Sequence, residues 1–171
     1  ADRCYGDVSQ AALDWSQDAA AQVARKYGVH SIGADTLREW QDQSAERTLF
    51  VFDVRSPEEY ETGHIAGSRH APGGQLVQAT DRYVGTANAR IVLVDDTGVR
   101  ATMTASWLIQ MGWKDVHVLK EGLTHLPCEA GPCISPVPEV DAVTVPFLSV
   151  DALDPDTMTV IDLGTSLAYR D

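Results

Sequence analysis

The sequence predicts an α/β fold with a mostly parallel sheet and helices on both faces of that sheet. Apolar runs of strand length occur at residues 49–52 and 91–94, and helical apolar spacing occurs at residues 8–27 and 101–109. Chains in which strands alternate with helices usually form parallel sheets that the connecting helices cover. The chain has 171 residues, of which 44% are hydrophobic, so it is long enough to bury one substantial core.

The first predicted element is an amphipathic helix over residues 8–27, which Gly28 ends as a left-handed cap. Its apolar face is expected to comprise Val8, Ala12, Trp15, Ala19, Val23 and Tyr27. Asp35 is predicted to cap a second helix that extends to about residue 41. Residues 1–29 are interpreted as an N-terminal helix that packs on the domain, or as a linker from a preceding domain.

A polar segment with distinctive spacing follows the strand at residues 49–52. Residues 53–67 read D-x-R-x-x-x-E-Y-x-x-G-H-I-x-G, which resembles the amino-terminal signature of rhodanese-homology domains. The matching residues are Asp53, Arg55, Glu59, Tyr60, Gly63, His64, Ile65 and Gly67, and Pro72 fits the proline that usually follows. Arg55 and Glu59 are expected to pair because they lie four residues apart, and His64 is expected to be structural.

A six-residue loop follows the strand at residues 91–94 and precedes a helix that should end near Gly112. In this position backbone N–H groups and the helix dipole favour a bound anion. The loop is similar to the family's active loop, C-x-x-G-x-R, except that Asp95 stands at the cysteine position. We call it the cradle loop, and it consists of Asp95, Asp96, Thr97, Gly98, Val99 and Arg100.

We expect four side chains to lie in the cradle loop or close to it. Asp95 is expected to accept the N–H bonds that a bound anion would otherwise accept. Arg100 is expected to place its positive charge at the cradle loop. Arg69 and His70 follow the signature and are candidates for contact at the mouth of the loop.

The resemblance covers about residues 31–126 and implies a rhodanese-like, mostly parallel five-stranded sheet with helices on both faces, in which residues 115–119 form the strand after the helix at the cradle loop. In family members with the cysteine, the thiolate takes sulfane sulfur from a donor, holds it as a persulfide and passes it to an acceptor. A carboxylate cannot do this, because the transfer requires a polarizable sulfur nucleophile. The expected function is therefore that of a thiosulfate sulfurtransferase-type domain that is itself inactive and has a binding, scaffolding or regulatory role. The alternative is an active sulfurtransferase that uses another cysteine or a neighbouring domain.

The remainder of the sequence predicts further domains. Residues 30–126 are interpreted as the rhodanese-homology domain, and residues 127–146, which contain five prolines, as an interdomain linker. Residues 147–171 are interpreted as the truncated start of a second such domain, because Asp162 and Tyr169 repeat the spacing of Asp53 and Tyr60. The chain is thus expected to be one segment of a tandem rhodanese protein, with adjacent domains as partners.

Cysteine content and charge bear on cofactors, partners and location. Cys4, Cys128 and Cys133 give no disulfide framework, which favours a reducing cytoplasm. Cys128 and Cys133 alone are a weak zinc signal, so no metal or other cofactor is predicted. The formal net charge of -12 disfavours nucleic acid and anionic membranes, since both bind basic surfaces. A small anion or a sulfur-containing ligand is the expected small-molecule partner.

Overall fold

The computed structural model describes residues 8–120, 122–124, 126–132, 148–154 and 156–159. The chain divides into two compact units, Ala1–Ile134 and Ser135–Asp171. The strands of the first unit are β1 (His30–Ile32), β2 (Leu49–Asp53), β3 (His64–Ile65), β4 (Arg69–His70), β5 (Arg90–Val94), β6 (Val116–Leu119) and β7 (Cys128–Glu129). Its helices are α1 (Gln10–Tyr27), α2 (Ala34–Asp42), α3 (Pro57–Thr62), α4 (Gly73–Gln78), α5 (Thr80–Tyr83) and α6 (Val99–Gln110).

Five of these strands form one parallel sheet in the order β1-β6-β5-β2-β4. β5 lies at the centre, where Ile91 is in register with Phe50 of β2 and with Val116 of β6. Parallel neighbours require crossover connections, which the intervening helices provide. The predicted α/β fold with a mostly parallel five-stranded sheet is therefore confirmed.

Both faces of the sheet are covered, which explains why its central strands are apolar on both sides. One face packs against α4 and α6, in a core that includes Phe52, Leu76, Ile91, Leu93, Ala101, Ala105 and Leu108. The opposite face packs against α2, in a core that includes Leu37, Val51, Val92, Val94 and Leu119. The sheet is thus fixed from both sides, and its carboxyl edge is a rigid support for the loops that leave it.

Helix α1 packs against α6, with a face that overlaps only in part with the one predicted. In the amino-terminal half the prediction is wrong, because Ala12 is exposed and Val8 and Trp15 are 74% and 72% exposed. In the carboxyl-terminal half Ala19, Val23 and Tyr27 are partly buried as predicted, and Ala20 is buried beside them. The helix is rich in alanine, so the apolar spacing alone does not select one face. The prediction of its end is confirmed, because Gly28 caps α1 in the left-handed region at φ 69°.

Helix α2 begins two residues earlier than predicted. Its N-cap is Gly33, and Asp35 lies in the first turn rather than at the cap. The Asp35 carboxylate accepts a hydrogen bond from Arg38 at 2.6 Å. An acidic side chain in the first turn still stabilises the helix, because it lies near the positive end of the helix dipole.

A short antiparallel pair closes the first unit. Strand β7 pairs with β3, so that Ile65 lies opposite Cys128, within the segment that was interpreted as a linker. The Ala66 N–H donates to the Pro127 carbonyl at 2.9 Å, and the Gly131 N–H donates to the Glu61 carbonyl at 2.9 Å. We call residues 126–131 the C-terminal clasp, because they hold the segment around the Gly-His-Ile motif.

The second unit contains a single 3-10 turn, Val150–Ala152, among its described residues. After it, the Asp154 carboxylate accepts hydrogen bonds from the Asp156 N–H at 3.0 Å and the Thr157 hydroxyl at 2.7 Å. Asp162 and Tyr169, which carry the predicted repeat, lie outside the described residues. In the part of the chain that the structure describes, no helix has both the length and the apolar character that a membrane span requires.

Candidate functional site

The cradle loop connects the carboxyl end of β5 to the amino end of α6. Gly98 is the N-cap of α6 and has φ 78°, a left-handed conformation that glycine adopts without strain. Its carbonyl accepts bonds from the Thr102 N–H at 3.2 Å and the Thr102 hydroxyl at 2.6 Å. Ligands of open α/β sheets commonly bind at the carboxyl ends of the strands, which is where this loop lies.

Asp95 is buried beneath the loop, with 1% of its surface exposed. One carboxylate oxygen, Oδ1, accepts the Gly98 N–H at 2.8 Å. The other, Oδ2, accepts the Arg100 N–H at 2.9 Å and the Thr97 hydroxyl at 3.2 Å. Two backbone donors that could bind an anion are therefore already engaged by a side chain of the loop itself.

The pKa of Asp95 is raised above its ordinary value, chiefly because burial disfavours the charged carboxylate. The N–H bonds from Arg100 and Gly98 act in the opposite direction, since they stabilise the charge. The nearby Asp96 raises the pKa further by like-charge repulsion. The loop thus contains a carboxyl group whose ionisation depends on the donors that surround it.

The side chain of Arg100 points towards α3 and Asp96 rather than into the centre of the loop. Its guanidinium forms a bidentate ion pair with the Glu59 carboxylate, with hydrogen bonds of 2.7 and 3.0 Å, and also donates to Asp96 Oδ1 at 2.8 Å. Its Nε lies 4.0 Å from Asp95 Oδ2. The pair with Arg100 lowers the pKa of Glu59 to about 2 and raises the pKa of Arg100. Most of the hydrogen-bonding capacity of Arg100 is therefore committed within the protein.

The expected pair between Arg55 and Glu59 does not form. Arg55 instead pairs with Asp53 at 2.6 Å and donates to the Gly63 carbonyl at 2.6 Å. Glu59 belongs to a capping box, in which its carboxylate accepts the Ser56 N–H at 2.9 Å. Because Ser56 is the N-cap of α3, Arg55 lies outside the helix and the helical spacing rule does not apply to it.

His64 has a structural position, as expected. Its Nδ1 lies 2.9 Å from the Tyr60 carbonyl, and its ring stacks on the Tyr60 ring at 3.7 Å. Its Nε2 lies 3.3 Å from a carboxylate oxygen of Glu129 on β7. The buried ring therefore connects α3 to the C-terminal clasp.

Arg69 and His70 lie on β4, which β2 separates from β5. Neighbouring strands are about 4.8 Å apart, so the backbone of β4 is roughly 10 Å from that of β5. His70 Nε2 lies 3.0 Å from the Arg55 carbonyl, while Arg69 is exposed. Within the described residues, neither side chain forms a hydrogen bond to the cradle loop.

Cys128 lies on β7, away from the cradle loop, and is exposed. Its thiol donates weakly to the carbonyls of Leu123 and Leu126, at 3.6 and 3.5 Å. Cys4 and Cys133 lie outside the described residues. Among the residues that are described, no group of three His, Cys, Asp or Glu side chains could hold a metal ion.

Two residues that support the cradle loop were missed by sequence reasoning. Gln17 of α1 donates through Nε2 to the Thr97 carbonyl at 3.1 Å. Gly122, after β6, has φ 53°, and a Cβ at this position would lie 2.5 Å from the Asp95 carbonyl oxygen. The Gly122 contact had a signal in the sequence, because a glycine shortly after a strand is typical of a turn. The Gln17 contact joins residues 80 positions apart in the chain, and no spacing rule predicts such a contact.

Comparison with known proteins agrees with this geometry. The model of the Rhodanese-like domain matches residues 33–126, from the start of α2 to the residue before Pro127. The chain belongs to the rhodanese-like domain family. The match includes the signature around α3 and the cradle loop, and it excludes α1 and most of the C-terminal clasp.

Two curated relatives have similar coverage. The chain is 31% identical over 93 residues to the thiosulfate sulfurtransferase GlpE of Pseudomonas paraeruginosa, which covers 53% of this chain and 77% of that protein. It is 32% identical over 87 residues to the uncharacterized protein YqhL of Bacillus subtilis, which covers 51% of this chain and 68% of that protein. Each of these similarities involves about half of this chain.

One solved structure resembles a larger part of the chain. The thiosulfate sulfurtransferase of Pseudomonas aeruginosa superimposes with a TM-score of 0.71 and 48% identity. The similarity covers 78% of this chain but 25% of that enzyme. The chain therefore spans about a quarter of the length of that relative.

Proposed function

We propose that this chain is a rhodanese-like unit of a thiosulfate sulfurtransferase-type protein, and that the unit does not itself catalyse sulfur transfer. Its role is to bind a ligand, to scaffold other domains or to regulate them. The observation that carries this proposal is the position of Asp95, whose carboxylate accepts the N–H groups of Gly98 and Arg100. A carboxylate in this position occupies the donors that would otherwise hold a bound anion.

The chemistry of the transfer supports the inactive assignment. In a rhodanese with cysteine, the thiolate attacks the sulfane sulfur of thiosulfate, the S–S bond breaks and sulfite leaves with the electron pair. Cyanide then attacks the persulfide, takes that sulfur as thiocyanate and restores the thiolate. Asp95 cannot replace the thiolate, because a carboxylate does not form a stable bond to sulfane sulfur. The negative charge of Asp96 at the same loop also disfavours a dianion such as thiosulfate.

The alternative is an active sulfurtransferase that uses another cysteine or a neighbouring domain. Cys128 is exposed, but it lies on a two-residue strand rather than at the amino end of a helix. It therefore lacks the helix dipole and the ring of N–H groups that activate reactive cysteines. This arrangement favours the inactive assignment over catalysis by Cys128.

The proposal extends to the protein that contains this chain. The length of the similar Pseudomonas aeruginosa enzyme supports a tandem protein, in which other rhodanese-like domains of the same chain are the partners. We assign residues 30–126 to this unit together with the C-terminal clasp, the rest of residues 127–146 to a connecting segment and residues 147–171 to the start of another unit. A small anion or a sulfur-containing molecule, bound outside the donors that Asp95 occupies, is the proposed ligand, and the cytoplasm is the proposed location.

The decisive experiment compares this chain with its Asp95→Cys variant in the transfer of sulfur from thiosulfate to cyanide. We expect the parent to form no thiocyanate above background. We expect Asp95→Cys to form it, because the donors of Gly98 and Arg100 would then be available to a thiolate and its persulfide. An Asp95→Ser variant is the matched control, since serine is similar in size to cysteine but cannot carry sulfane sulfur.

Each outcome of this assay has a distinct meaning. Thiocyanate formation by the parent would overturn the inactive assignment, and its loss in Cys128→Ser would identify the cysteine that is responsible. Activity in Asp95→Cys alone would show that the loop lacks only the nucleophile. Inactivity of all variants would leave the unit non-catalytic and would mean that residues around the loop have also diverged.

A further inference from the structure

An open cleft of about 550 Å³ lies beside the cradle loop. Its walls come from α1, from the cradle loop and from the end of β6, and they include Gln17, Asp96 and Lys120. Pockets that hold small molecules usually have volumes of about 300–1,000 Å³. The cleft therefore has room for a ligand of about the size of an amino acid.

The wall from α1 is an addition to the family domain, because the family match begins at residue 33. Gln17 fixes this wall through its hydrogen bond to the Thr97 carbonyl at 3.1 Å. The packing of α1 on α6 supports the same placement, with Ala20 buried at 5% exposure. The cleft is thus built from secondary-structure elements that are fixed against each other, which is a requirement for a specific binding site.

The cleft contains charged groups of both signs. Lys120 follows β6 directly, is exposed and has no ion-pair partner among the described residues. Asp96, two residues after β5, is 46% exposed, and its described contact with Arg100 uses only Oδ1. β5 and β6 are adjacent parallel strands, with Leu93 opposite Val118, so both charged residues leave the same edge of the sheet. One positively charged side chain, that of Lys120, and one negatively charged side chain, that of Asp96, therefore line the same cleft.

Polar uncharged groups complete the lining. The Gln17 amide uses its nitrogen to donate to Thr97, which leaves its oxygen as an acceptor. Ser31 and Thr102 also line the cleft, and the Thr102 hydroxyl donates to the Gly98 carbonyl. These acceptors suit an ammonium group, which can donate three hydrogen bonds.

We propose that this cleft binds a small zwitterion, with its anionic group at Lys120 and its ammonium group at Asp96 and Gln17. A simple anion fits less well, because it would lie beside Asp96 in a protein of formal net charge -12. A simple cation fits less well, because it would lie beside Lys120. The proposed contacts use Lys120, Asp96 and Gln17 and not the N–H groups that Asp95 accepts, so they do not depend on the catalytic inactivity proposed for this unit.

The test is a titration of the full chain with taurine, followed by two-dimensional NMR. Ethanesulfonate, which has the anionic group alone, and ethylamine, which has the ammonium group alone, are the matched probes. We expect saturable taurine binding with a Kd below about 10 mM, with shifts at Thr97 and Lys120, and weaker binding of both single-charge probes. Lys120→Gln should weaken taurine binding at least about tenfold, the effect of about 1.4 kcal/mol.

Lys114→Gln is the matched control, because Lys114 is an exposed lysine that precedes β6 and lies outside the cleft. It should leave taurine binding unchanged. The absence of taurine binding to the parent chain would overturn the proposal, as would equal effects of the two lysine changes. Ethanesulfonate binding as tight as taurine binding would also overturn it, since the site would then recognise an anion alone. The sulfur-transfer assay is a separate readout, so failure here leaves the proposal for Asp95 unaffected.

Discussion

At the scale of single residues, the position of Asp95 could be predicted from the sequence, but the directions of the neighbouring side chains could not. The loop motif places Asp95 after a buried strand, and its acceptance of loop N–H groups follows from the geometry of such loops. Arg55 behaves differently from expectation because it has a closer partner, Asp53, than the motif alone indicates. Arg100 keeps its charge at the cradle loop through Asp96, but it also pairs with Glu59, which the motif does not indicate. Spacing in a sequence does not rank competing partners that the fold brings together.

Gly122 gives a prediction at this scale. Gly122→Ala should lower the free energy of unfolding by more than about 1 kcal/mol, because φ is positive and the new Cβ would meet the Asp95 carbonyl. Urea unfolding measures this change. Gly85→Ala is the control, since its Cβ would meet nothing within 4 Å and its φ is not in the left-handed region. Equal stability of both variants would contradict the close approach at Gly122.

At the scale of elements, strongly apolar elements were predictable and weakly patterned ones were not. The predictions for β2, β5, β6 and α6 agree with the structure. Most residues of these elements are buried, and burial gives a sequence a strong apolar pattern. The predicted face of α1 was wrong in the amino-terminal half of the helix, because its many alanines are compatible with several helical faces and contact with α6 decides between them. β3 and β7 have two residues each, which is too short for any periodic signal.

The packing face of α1 leads to one prediction. Ala20→Leu should lower the free energy of unfolding by about 1–3 kcal/mol, because a larger side chain cannot fit at a buried position between α1 and its neighbour. Ala21→Leu makes the same chemical change at the adjacent exposed position and should have little effect. Thermal or urea unfolding of both variants provides the comparison. A larger loss from Ala21→Leu would mean that Ala20 does not lie at the contact between α1 and α6.

The link between α3 and the cradle loop leads to a prediction about pH. The pKa of Glu59 is lowered from 4.5 to about 2, mainly by its hydrogen bond from Arg100. This group therefore contributes stability above pH 4.5 that is lost as the pH falls towards 2. Glu59→Gln keeps an acceptor for the capping box but removes the charge. The variant should be less stable than the parent by about 1 kcal/mol at neutral pH, and this difference should disappear near pH 2.

Urea unfolding at a series of pH values tests this expectation. Glu61→Gln is the control, because Glu61 lies on the same helix with an exposed side chain. Its stability relative to the parent should not depend on pH in this range. A stability difference for Glu59→Gln that stays constant down to pH 2 would show that the charge pair contributes nothing.

At the scale of the whole molecule, the extent of the folded unit differs from the extent of the recognisable motif. The family match ends at residue 126, and the composition after it indicates a linker. The C-terminal clasp nevertheless pairs with β3, and Glu129 accepts the Gly67 N–H at 3.0 Å. Proline content predicts where a chain lacks periodic structure, but it does not predict single strand pairings that begin within such a segment.

The clasp can be tested with two shortened chains. A chain of residues 1–126 should unfold at a lower temperature than a chain of residues 1–132, because it lacks the hydrogen bonds of β7 to β3, Ala66 and Glu61. At about 0.5–1.5 kcal/mol per bond, the expected difference in the free energy of unfolding is about 2–4 kcal/mol. Calorimetry measures it. Identical melting of the two chains would mean that the clasp makes no contribution to folding.

The carboxylate beneath the cradle loop also has a consequence in terms of mass action. An anion that binds from solution orders its site only in proportion to its concentration, whereas a tethered group has a fixed and high effective concentration. Asp95 is attached to the backbone one residue after β5, so its occupancy of the loop donors does not vary with the sulfate, phosphate or thiosulfate around the protein. The conformation of the loop is consequently independent of the anions in solution. The elements that pack against the loop therefore contact the same surface at any anion concentration.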